Sequence, residues 1–342
     1  MEKILFLTHT DPDGALPRVA REVLGGAVQL SKDLGGAPLA VGLVGADVGA
    51  AADSVAGCGA DAFLAVAGDD FGVSRYATDA AAAEALARKS EATLVVVPAT
   101  SRFARAIPGV ALRVEGRVDT HVTDVSVEDG KPQIERWYYR QRMVATLLRE
   151  QRPWFILVDS GVFEPLEGVS GSASLESVPV DPPATRTQVV GIEAAAGEAQ
   201  TIRPDAELLF VAGAGWTKKQ ADGQPHVPEA EQLILGFLEK SQASLGSSKS
   251  LVDQSGEGQT VLSFMSHMNQ VGQTGSTPRH PKGLATCCHG EEPHVVGWRF
   301  IKERRAVNLD PGCGWAQGKA DVLYVADAFE VMSNVNELLG QG

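Results

Sequence analysis

The sequence contains no long apolar run, few cysteines, and too few basic residues to balance its acidic ones. No stretch approaches the roughly 20 apolar residues of a membrane-spanning helix, so we expect no such helix. Four cysteines and the absence of a signal peptide are typical of a protein of the reducing cytoplasm. The formal net charge of -13 disfavours nucleic acid and anionic membranes as partners, and its simplest interpretation is that it serves solubility.

The cysteines also lack the spacing of a metal site. No C-x-x-C pair occurs, and the side chains of the neighbours Cys287 and Cys288 would point to opposite faces of a strand. We therefore predict no metal ligands and interpret these cysteines as small buried side chains. A catalytic Cys–His pair in this stretch stays open as an alternative, although the sequence offers no third member, and we assign no catalytic residue.

Strand-like and helix-like segments alternate along the chain, which is typical of parallel sheets with crossover helices. The length of 342 residues exceeds what one hydrophobic core usually holds. We therefore predict the α/β class with two domains, each with a mostly parallel sheet flanked by helices. The domains are placed at residues 1–186 and 187–342, because the Pro-, Gly- and Ser-rich stretch 164–186 predicts a linker or a long excursion.

Hydrophobic periodicity predicts the individual elements. In the N-terminal domain, strands are predicted at residues 4–7, 39–44, 63–66, 93–97, 122–127, 134–138, 143–148 and 155–158, and helices at 19–30, 48–56, 79–90 and 107–114. In the C-terminal domain, strands are predicted at residues 187–192, 208–211, 284–288, 305–309 and 322–326, and helices at 228–240 and 329–338.

A short glycine-containing segment follows the predicted strand 208–211. Its sequence, Gly213-Ala214-Gly215, suits a phosphate-binding turn, but a lone G-x-G is a weak signal. A complete G-x-G-x-x-G after a strand is absent. This absence disfavours an oxidoreductase that uses NAD(P)H directly.

The most informative stretch of the sequence runs from residue 271 to residue 294. It begins with V-G-Q-T-G, in which glycines flank Gln273 and Thr274, so that the backbone can approach a flat ligand while two polar side chains bond its edge. A short buried strand and then Gly290 and His294 follow. Because ligands of open α/β sheets lie at the carboxyl ends of strands, this stretch predicts a cofactor pocket; a tight turn without a ligand stays open as the simpler interpretation.

These motifs resemble the α subunit of electron-transfer flavoproteins. V-G-Q-T-G stands unchanged at residues 271–275, and Gly290 and His294 follow at the spacing of the family. An N-x-D-P turn at residues 308–311 matches the next motif, and Ala320-Asp321 with Asp327 matches the last acidic pair. The resemblance is weaker in the N-terminal half, where Pro98-Ala99-Thr100 and other short matches lie in the expected order, and it covers almost the whole chain.

Several positions depart from the family pattern. Lys249 replaces an arginine after Ser248, His289 replaces a serine, Pro293 replaces a glutamine, and Ala214 replaces an arginine. The stretch 254–269 is longer than usual. The resemblance places these changes near the pyrophosphate and the reactive edge of the flavin, so they bear on redox tuning.

The resemblance implies that the C-terminal domain is a doubly wound fold that binds FAD. His294 is expected to donate to the N1–C2=O edge of the flavin, while Gln273 and Thr274 bond the N5–C4=O edge. Ser248 and Lys249 are expected to approach the ring. The cofactor-binding residues implied in this way are Ser248, Lys249, Gly272, Gln273, Thr274, Gly275, His289, Gly290, His294, Asn308 and Asp321.

The resemblance also implies a partner and a role. The N-terminal domain is expected to pack against a β subunit that carries AMP. The heterodimer is expected to take electrons from a flavin dehydrogenase and to pass them to a membrane quinone oxidoreductase, as a redox carrier rather than a substrate-converting enzyme. The alternative is a nucleotide-binding structural or regulatory module whose flavin site has decayed.

Overall fold

The chain folds into two compact units, Met1–Ile192 and Glu193–Gly342. The structure is a computed structural model that describes residues 2–138, 143–191, 202–203, 206–254, 261–272, 275–286, 298, 301–311 and 320–341. Each unit is built on its own sheet with helices packed against it, which confirms the predicted fold class. None of the helices in the described residues is long and apolar enough to cross a bilayer.

The first unit contains a nine-stranded sheet in the order β7-β6-β5-β8-β4-β1-β2-β3-β9. Its strands are β1 (Ile4–His9), β2 (Leu39–Gly45), β3 (Ala62–Ala67), β4 (Leu94–Pro98), β5 (Arg117–Glu128), β6 (Lys131–Tyr138), β7 (Met143–Leu147), β8 (Trp154–Val158) and β9 (Leu175–Ser177). Its helices are α1 (Arg18–Asp33), α2 (Gly49–Asp53), α3 (Asp69–Gly72), α4 (Tyr76–Ser90) and α5 (Ser101–Arg113). The β5-β6-β7 ladder is antiparallel, and the other pairs are parallel.

The central strands of this sheet are continuous apolar runs because helices cover both of their faces. Every residue of β1, β4 and β8 is buried, as expected for parallel strands inside an α/β unit. Phe6 shares a core with Leu24 of α1 on one face. Leu7 shares a second core with Leu86 of α4 on the other.

Two predictions for the first unit are wrong in detail. Helix α5 begins at Ser101 rather than at residue 107, because Thr100 caps it by accepting from the Phe103 N–H at 3.2 Å. Pro108 lies inside this helix and does not start it. The predicted strand at 187–192 is also absent, since residues 187–191 are exposed and have no regular structure.

The stretch 164–186 is an excursion that packs along the first unit. Its β9 pairs with β3, with Leu175 opposite Phe63. Earlier in the stretch, Leu166 N–H donates to the Arg21 carbonyl at 3.1 Å, which ties the excursion to α1. Of the two interpretations offered for this composition, the structure therefore supports the long excursion.

One buried carboxylate joins the antiparallel strands to the parallel sheet. Asp119 of β5 is 1% exposed and accepts from Trp154 Nε1 of β8 at 2.9 Å. Arg149 Nε donates to it at 2.9 Å and Arg136 Nη1 at 3.2 Å. Burial by itself would raise the pKa of this carboxyl, but hydrogen bonds from Arg149 and Trp154 outweigh it and lower the pKa below its usual value.

The second unit contains a five-stranded sheet in the order β11-β10-β12-β13-β14, and all its pairs are parallel. Its strands are β10 (Leu208–Ala212), β11 (Ser244–Ser247), β12 (Lys282–Thr286), β13 (Glu303–Asn308) and β14 (Val322–Val325), and its helices are α6 (Val227–Ser241), α7 (Lys249–Asp253) and α8 (Ala328–Leu339). Phe237 of α6 and Met332 of α8 share a core with Phe210 on one face. Trp298 and Val271 pack with Leu209 and Ala285 on the other face.

We predict that Asp119→Asn lowers the free energy of unfolding by about 3 kcal/mol at neutral pH, because two arginines lose a buried carboxylate. The folded pKa lies below the unfolded value of about 3.9, so the stabilisation is complete above that value. It is lost as the pH falls through the folded pKa. Urea unfolding at a series of pH values should show wild type and variant converging in acid.

Glu84→Gln is the matched control, because it removes a carboxylate from the partly exposed pair with Arg88 on α4. Its effect on unfolding should be small at every pH. Equal losses in the two variants would contradict the role assigned to Asp119.

Candidate functional site

The strand order of the second unit places one crevice at the carboxyl edge of its sheet. The first strand of the unit, β10, lies between β11 and β12. The connection from β10 to β11 therefore leads to one side of β10, and the connection from β11 to β12 crosses to the other side. Ligands of open α/β sheets bind outside the carboxyl ends at such a reversal. The residues that end or follow the five strands there are Gly213, Ser248, Thr286, Asn308 and Asp327.

Ser248 fixes the start of α7 against this edge. Its N–H donates to the Ala212 carbonyl at 2.9 Å, which extends the pairing of β11 with β10. Its hydroxyl caps α7 by accepting from the Leu251 N–H at 3.2 Å. Lys249 is the first residue of α7, and its ammonium pairs with the Asp253 carboxylate one turn later.

The described residues of the V-G-Q-T-G stretch, Val271, Gly272 and Gly275, lie beside Ser247. Val271 N–H donates to the Ser247 carbonyl at 2.9 Å, Gly272 N–H donates to the Ser276 carbonyl at 2.8 Å, and Gly272 has a φ of +81°. A Cβ on Gly275 would lie 2.3 Å from the Gln270 carbonyl oxygen, so this position requires glycine. The structure therefore holds the segment that carries Gly272 and Gly275 next to Ser247, the residue that precedes Ser248 and Lys249.

A short turn of 3₁₀ helix, Ala214–Thr217, follows the end of β10. Gly213 N–H donates to the Thr286 carbonyl at 2.8 Å, and buried Trp216 donates from Nε1 to the Thr286 hydroxyl at 2.9 Å. The Gly213 N–H is thus used inside the sheet. Gly215 and Asn308 border the same small cavity at this edge.

Two buried polar atoms at the edge lack a hydrogen-bond partner within the described part of the chain. Asn308, at the end of β13, is 4% exposed, and its Nδ2 is unpaired. Ser247, at the end of β11, is fully buried, and its hydroxyl is unpaired. An unsatisfied buried donor costs about 1–3 kcal/mol. A polar ligand at this edge would relieve that cost.

Comparison with known proteins identifies the family. A family model for the electron transfer flavoprotein domain matches residues 4–183, which is more than half of the chain. The chain belongs to the electron transfer flavoprotein family. The resemblance found in the sequence is thereby confirmed, and the role of the chain is that of an electron-transfer flavoprotein component.

The similar proteins of this family are α subunits or carry the name FixB. The chain is 26% identical over 250 residues to the electron transfer flavoprotein subunit alpha of Bradyrhizobium diazoefficiens, covering 72% of each chain. It is 26% identical over 337 residues to the corresponding subunit of Clostridium acetobutylicum, covering 96% of this chain and 92% of that one. Protein FixB of Salmonella typhimurium is 24% identical over 295 residues, covering 85% and 88%. The chain is an α-type member of the family.

Asp321 lies at the opposite edge of the sheet from the other described candidates of this flavoprotein. It precedes β14 and accepts from the Arg304 N–H at 2.7 Å and from Arg304 Nη2 at 2.8 Å, and these bonds lower the pKa of its carboxyl. Arg304 and Asn308 are four residues apart on β13, about 13 Å at 3.3 Å per residue. The structure therefore does not bring Asp321 to the crevice, and Asp327, which caps α8 there, occupies that edge instead.

The remaining candidates lie outside the described residues. These are Gln273, Thr274, His289, Gly290 and His294, together with Cys287, Cys288 and Cys313. Their assignments stay predictions. Ser247 was not among the predicted residues, although it directly precedes the predicted Ser248 in the sequence. Only its burial and its unpaired hydroxyl single it out.

We predict that Gly275→Ala lowers the free energy of unfolding by about 2 kcal/mol, because the added methyl group collides with backbone rather than with a flexible side chain. Urea unfolding monitored by circular dichroism measures the change. Gly236→Ala is the control. The Cβ added at this position of α6 would make only ordinary van der Waals contact, so the substitution should preserve or raise stability. Equal stability of the Gly275→Ala protein and wild type would show that the turn is not constrained as described.

Proposed function

We propose that this chain is the α subunit of a heterodimeric electron-transfer flavoprotein and that it holds FAD at the carboxyl edge of its second sheet. One observation carries the proposal: Ser248, Gly272 and the unpaired Asn308 amide all lie along that edge of one parallel sheet. Membership of the electron transfer flavoprotein family supports it. The polar groups present fit a ligand with many hydrogen-bond acceptors, as FAD is.

Bound FAD would supply the redox chemistry, because a flavin takes up and releases electrons singly or in pairs. The protein would bind and orient it. The Gly272–Gly275 turn allows the backbone to approach closely, and the Asn308 amide can donate to a ligand oxygen. In the proposal His294, Gln273 and Thr274 bond the ring, and His289 and Gly290 lie by the pyrophosphate.

The charges at this edge suit a group that becomes negative when it is reduced. Lys249 brings an ammonium to the start of α7 in a chain whose formal net charge is -13. Because a positive charge favours a nearby negative one, Lys249 would stabilise the reduced flavin. Its ion pair with Asp253 limits this effect.

The partners follow from the same proposal. The α-subunit names of the similar proteins support a β subunit, which would pack against the N-terminal unit and carry AMP. Electrons would come from a flavin dehydrogenase and go to a membrane quinone oxidoreductase. The small number of cysteines favours a cytoplasmic location.

The second candidate is a nucleotide-binding structural or regulatory module without a working flavin. The pairing of Lys249 with Asp253 favours it, because an engaged ammonium offers less charge to a ligand. The two functions differ in one measurable quantity, which is bound flavin.

We expect the chain, purified together with its β-like partner, to carry stoichiometric FAD that is reversibly reduced during a stepwise titration followed by visible absorption. Released cofactor is identified by chromatography after denaturation. A colourless heterodimer would refute the proposal and leave the structural or regulatory module.

We predict opposite effects of Asn308→Leu on stability and on flavin binding. Without flavin the variant should be more stable by about 1 kcal/mol, because a buried unpaired donor is removed. The dissociation constant of FAD should rise about tenfold, which corresponds to the loss of one hydrogen bond. Thermal unfolding of flavin-free protein and fluorescence titration with FAD measure the two effects.

Asn336→Leu is the matched control in the same unit. Asn336 of α8 donates to the Leu233 carbonyl at 2.8 Å, so its loss should reduce stability and leave FAD binding unchanged. Unaltered FAD binding by Asn308→Leu would remove Asn308 from the site.

A further inference from the structure

A histidine lies close to Asp253, the carboxylate that pairs with the cation of the candidate site. His267 begins a turn of 3₁₀ helix, His267–Asn269, which is capped by the Ser266 hydroxyl. Asn269 is buried and donates from Nδ2 to the Leu245 carbonyl of β11 at 3.3 Å. Because α7 directly follows β11, one strand positions both the histidine and Lys249.

Asp253 lies between these two side chains. One of its carboxylate oxygens, Oδ2, pairs with the Lys249 ammonium. The other, Oδ1, lies 3.8 Å from His267 Nε2. The side chains of Lys249 and Asp253 are about one-third exposed, so each can exchange partners without unfolding of the surrounding core.

The hydrogen bonds on the other side of the imidazole determine what Nε2 can offer. Gln270 is 4% exposed and donates from Nε2 to the Gly272 carbonyl at 3.2 Å, so its Oε1 faces His267 Nδ1, also at 3.2 Å. Since Oε1 only accepts, Nδ1 carries the hydrogen. Nε2 of the neutral ring then presents a lone pair to the carboxylate. Only the protonated ring has a donor for Asp253.

We propose that His267 is a positioning residue that takes up a proton when the flavin is reduced and thereby releases Lys249 from Asp253 toward the reduced ring. The inference rests on the proposed FAD function. The Lys249 ammonium would be attracted to the negative charge that a bound flavin gains on reduction. Asp253 is left with an uncompensated charge, and a proton from solvent binds His267 Nε2 to replace the lysine.

The sign of the effect follows from linkage. Reduction favours protonation of His267, so protonation of His267 must favour reduction by the same free energy. The midpoint potential should therefore rise more steeply as the pH falls than it would without this histidine. Among the described elements that pack against the 3₁₀ turn, α7 contributes Lys249 and Asp253, and β11 contributes no charged residue.

The test compares the pH dependence of the flavin midpoint potential in wild type and His267→Asn between about pH 5 and 8, where imidazoles ordinarily change charge. Asparagine retains a donor for Gln270 but cannot take up a proton. We expect the wild-type potential to exceed that of the variant at the acidic end and the two to converge at the basic end. Identical profiles in flavin-containing protein would overturn the inference.

His121→Asn is the matched control. His121 has a side-chain exposure of 64%, close to the 63% of His267, and its Nδ1 lies 3.6 Å from the Asp159 carboxylate. It belongs to the first unit, and its positive φ is one that asparagine tolerates. Its replacement should leave the pH dependence of the midpoint potential unchanged. If His121→Asn weakens this pH dependence as much as His267→Asn does, any exposed histidine produces the effect.

A second measurement does not require flavin. In the flavin-free heterodimer, the pH midpoint of the His267 ring signal in NMR should rise by about half a unit in Lys249→Met and fall in Asp253→Asn. If the pH midpoint of His267 is the same in both variants as in wild type, Lys249 and His267 do not compete for Asp253, and the inference is wrong. Flavin content is read from the visible spectrum of each sample, so loss of flavin counts against the proposed function and an unchanged pH profile counts against this inference.

Discussion

Parallel pairing of β10 with β11 on one side and with β12 on the other is the constraint on which the candidate site depends. The ladder continues past the strands, through the bonds from Ser248 to Ala212 and from Gly213 to Thr286. These bonds hold three chain segments that are distant in sequence at one edge of the sheet. The V-G-Q-T-G turn joins the same edge because Val271 bonds to Ser247. If β10 paired differently, each of these groups would lie elsewhere.

Polar groups at this edge are arranged at some expense of stability. A buried strand end would be more stable with an apolar residue than with the unpaired amide of Asn308 or the unpaired hydroxyl of Ser247. By contrast, the buried Asp119 of the first unit has donors from Arg149, Arg136 and Trp154. The difference separates a polar group that holds the fold together from polar groups with no hydrogen-bond partner in the described part of the chain.

The sequence predicted most strands of both sheets, their mostly parallel arrangement and the turn at Gly272, because apolar periodicity and glycine chemistry are local properties. It missed β9 and β11, which are only three and four residues long. It could not give strand order, which is set by pairing between distant segments. Asp321 illustrates the consequence, since only the parallel alignment of β14 with β13 places it beside Arg304 at the amino edge. Helix α5 shows a local limit, since the apolar pattern predicts a start at residue 107 whereas the Thr100 cap starts the helix at Ser101.

Lys249 stands where the family resemblance implies an arginine, and the two side chains would hold Asp253 differently. A guanidinium would hold Asp253 through two parallel hydrogen bonds and would be difficult to detach. An ammonium is a point charge on a flexible stem, so it can leave a carboxylate with little geometric penalty. When the ammonium leaves, a second cation can take its place, because His267 Nε2 lies 3.8 Å from Oδ1, the other carboxylate oxygen of Asp253.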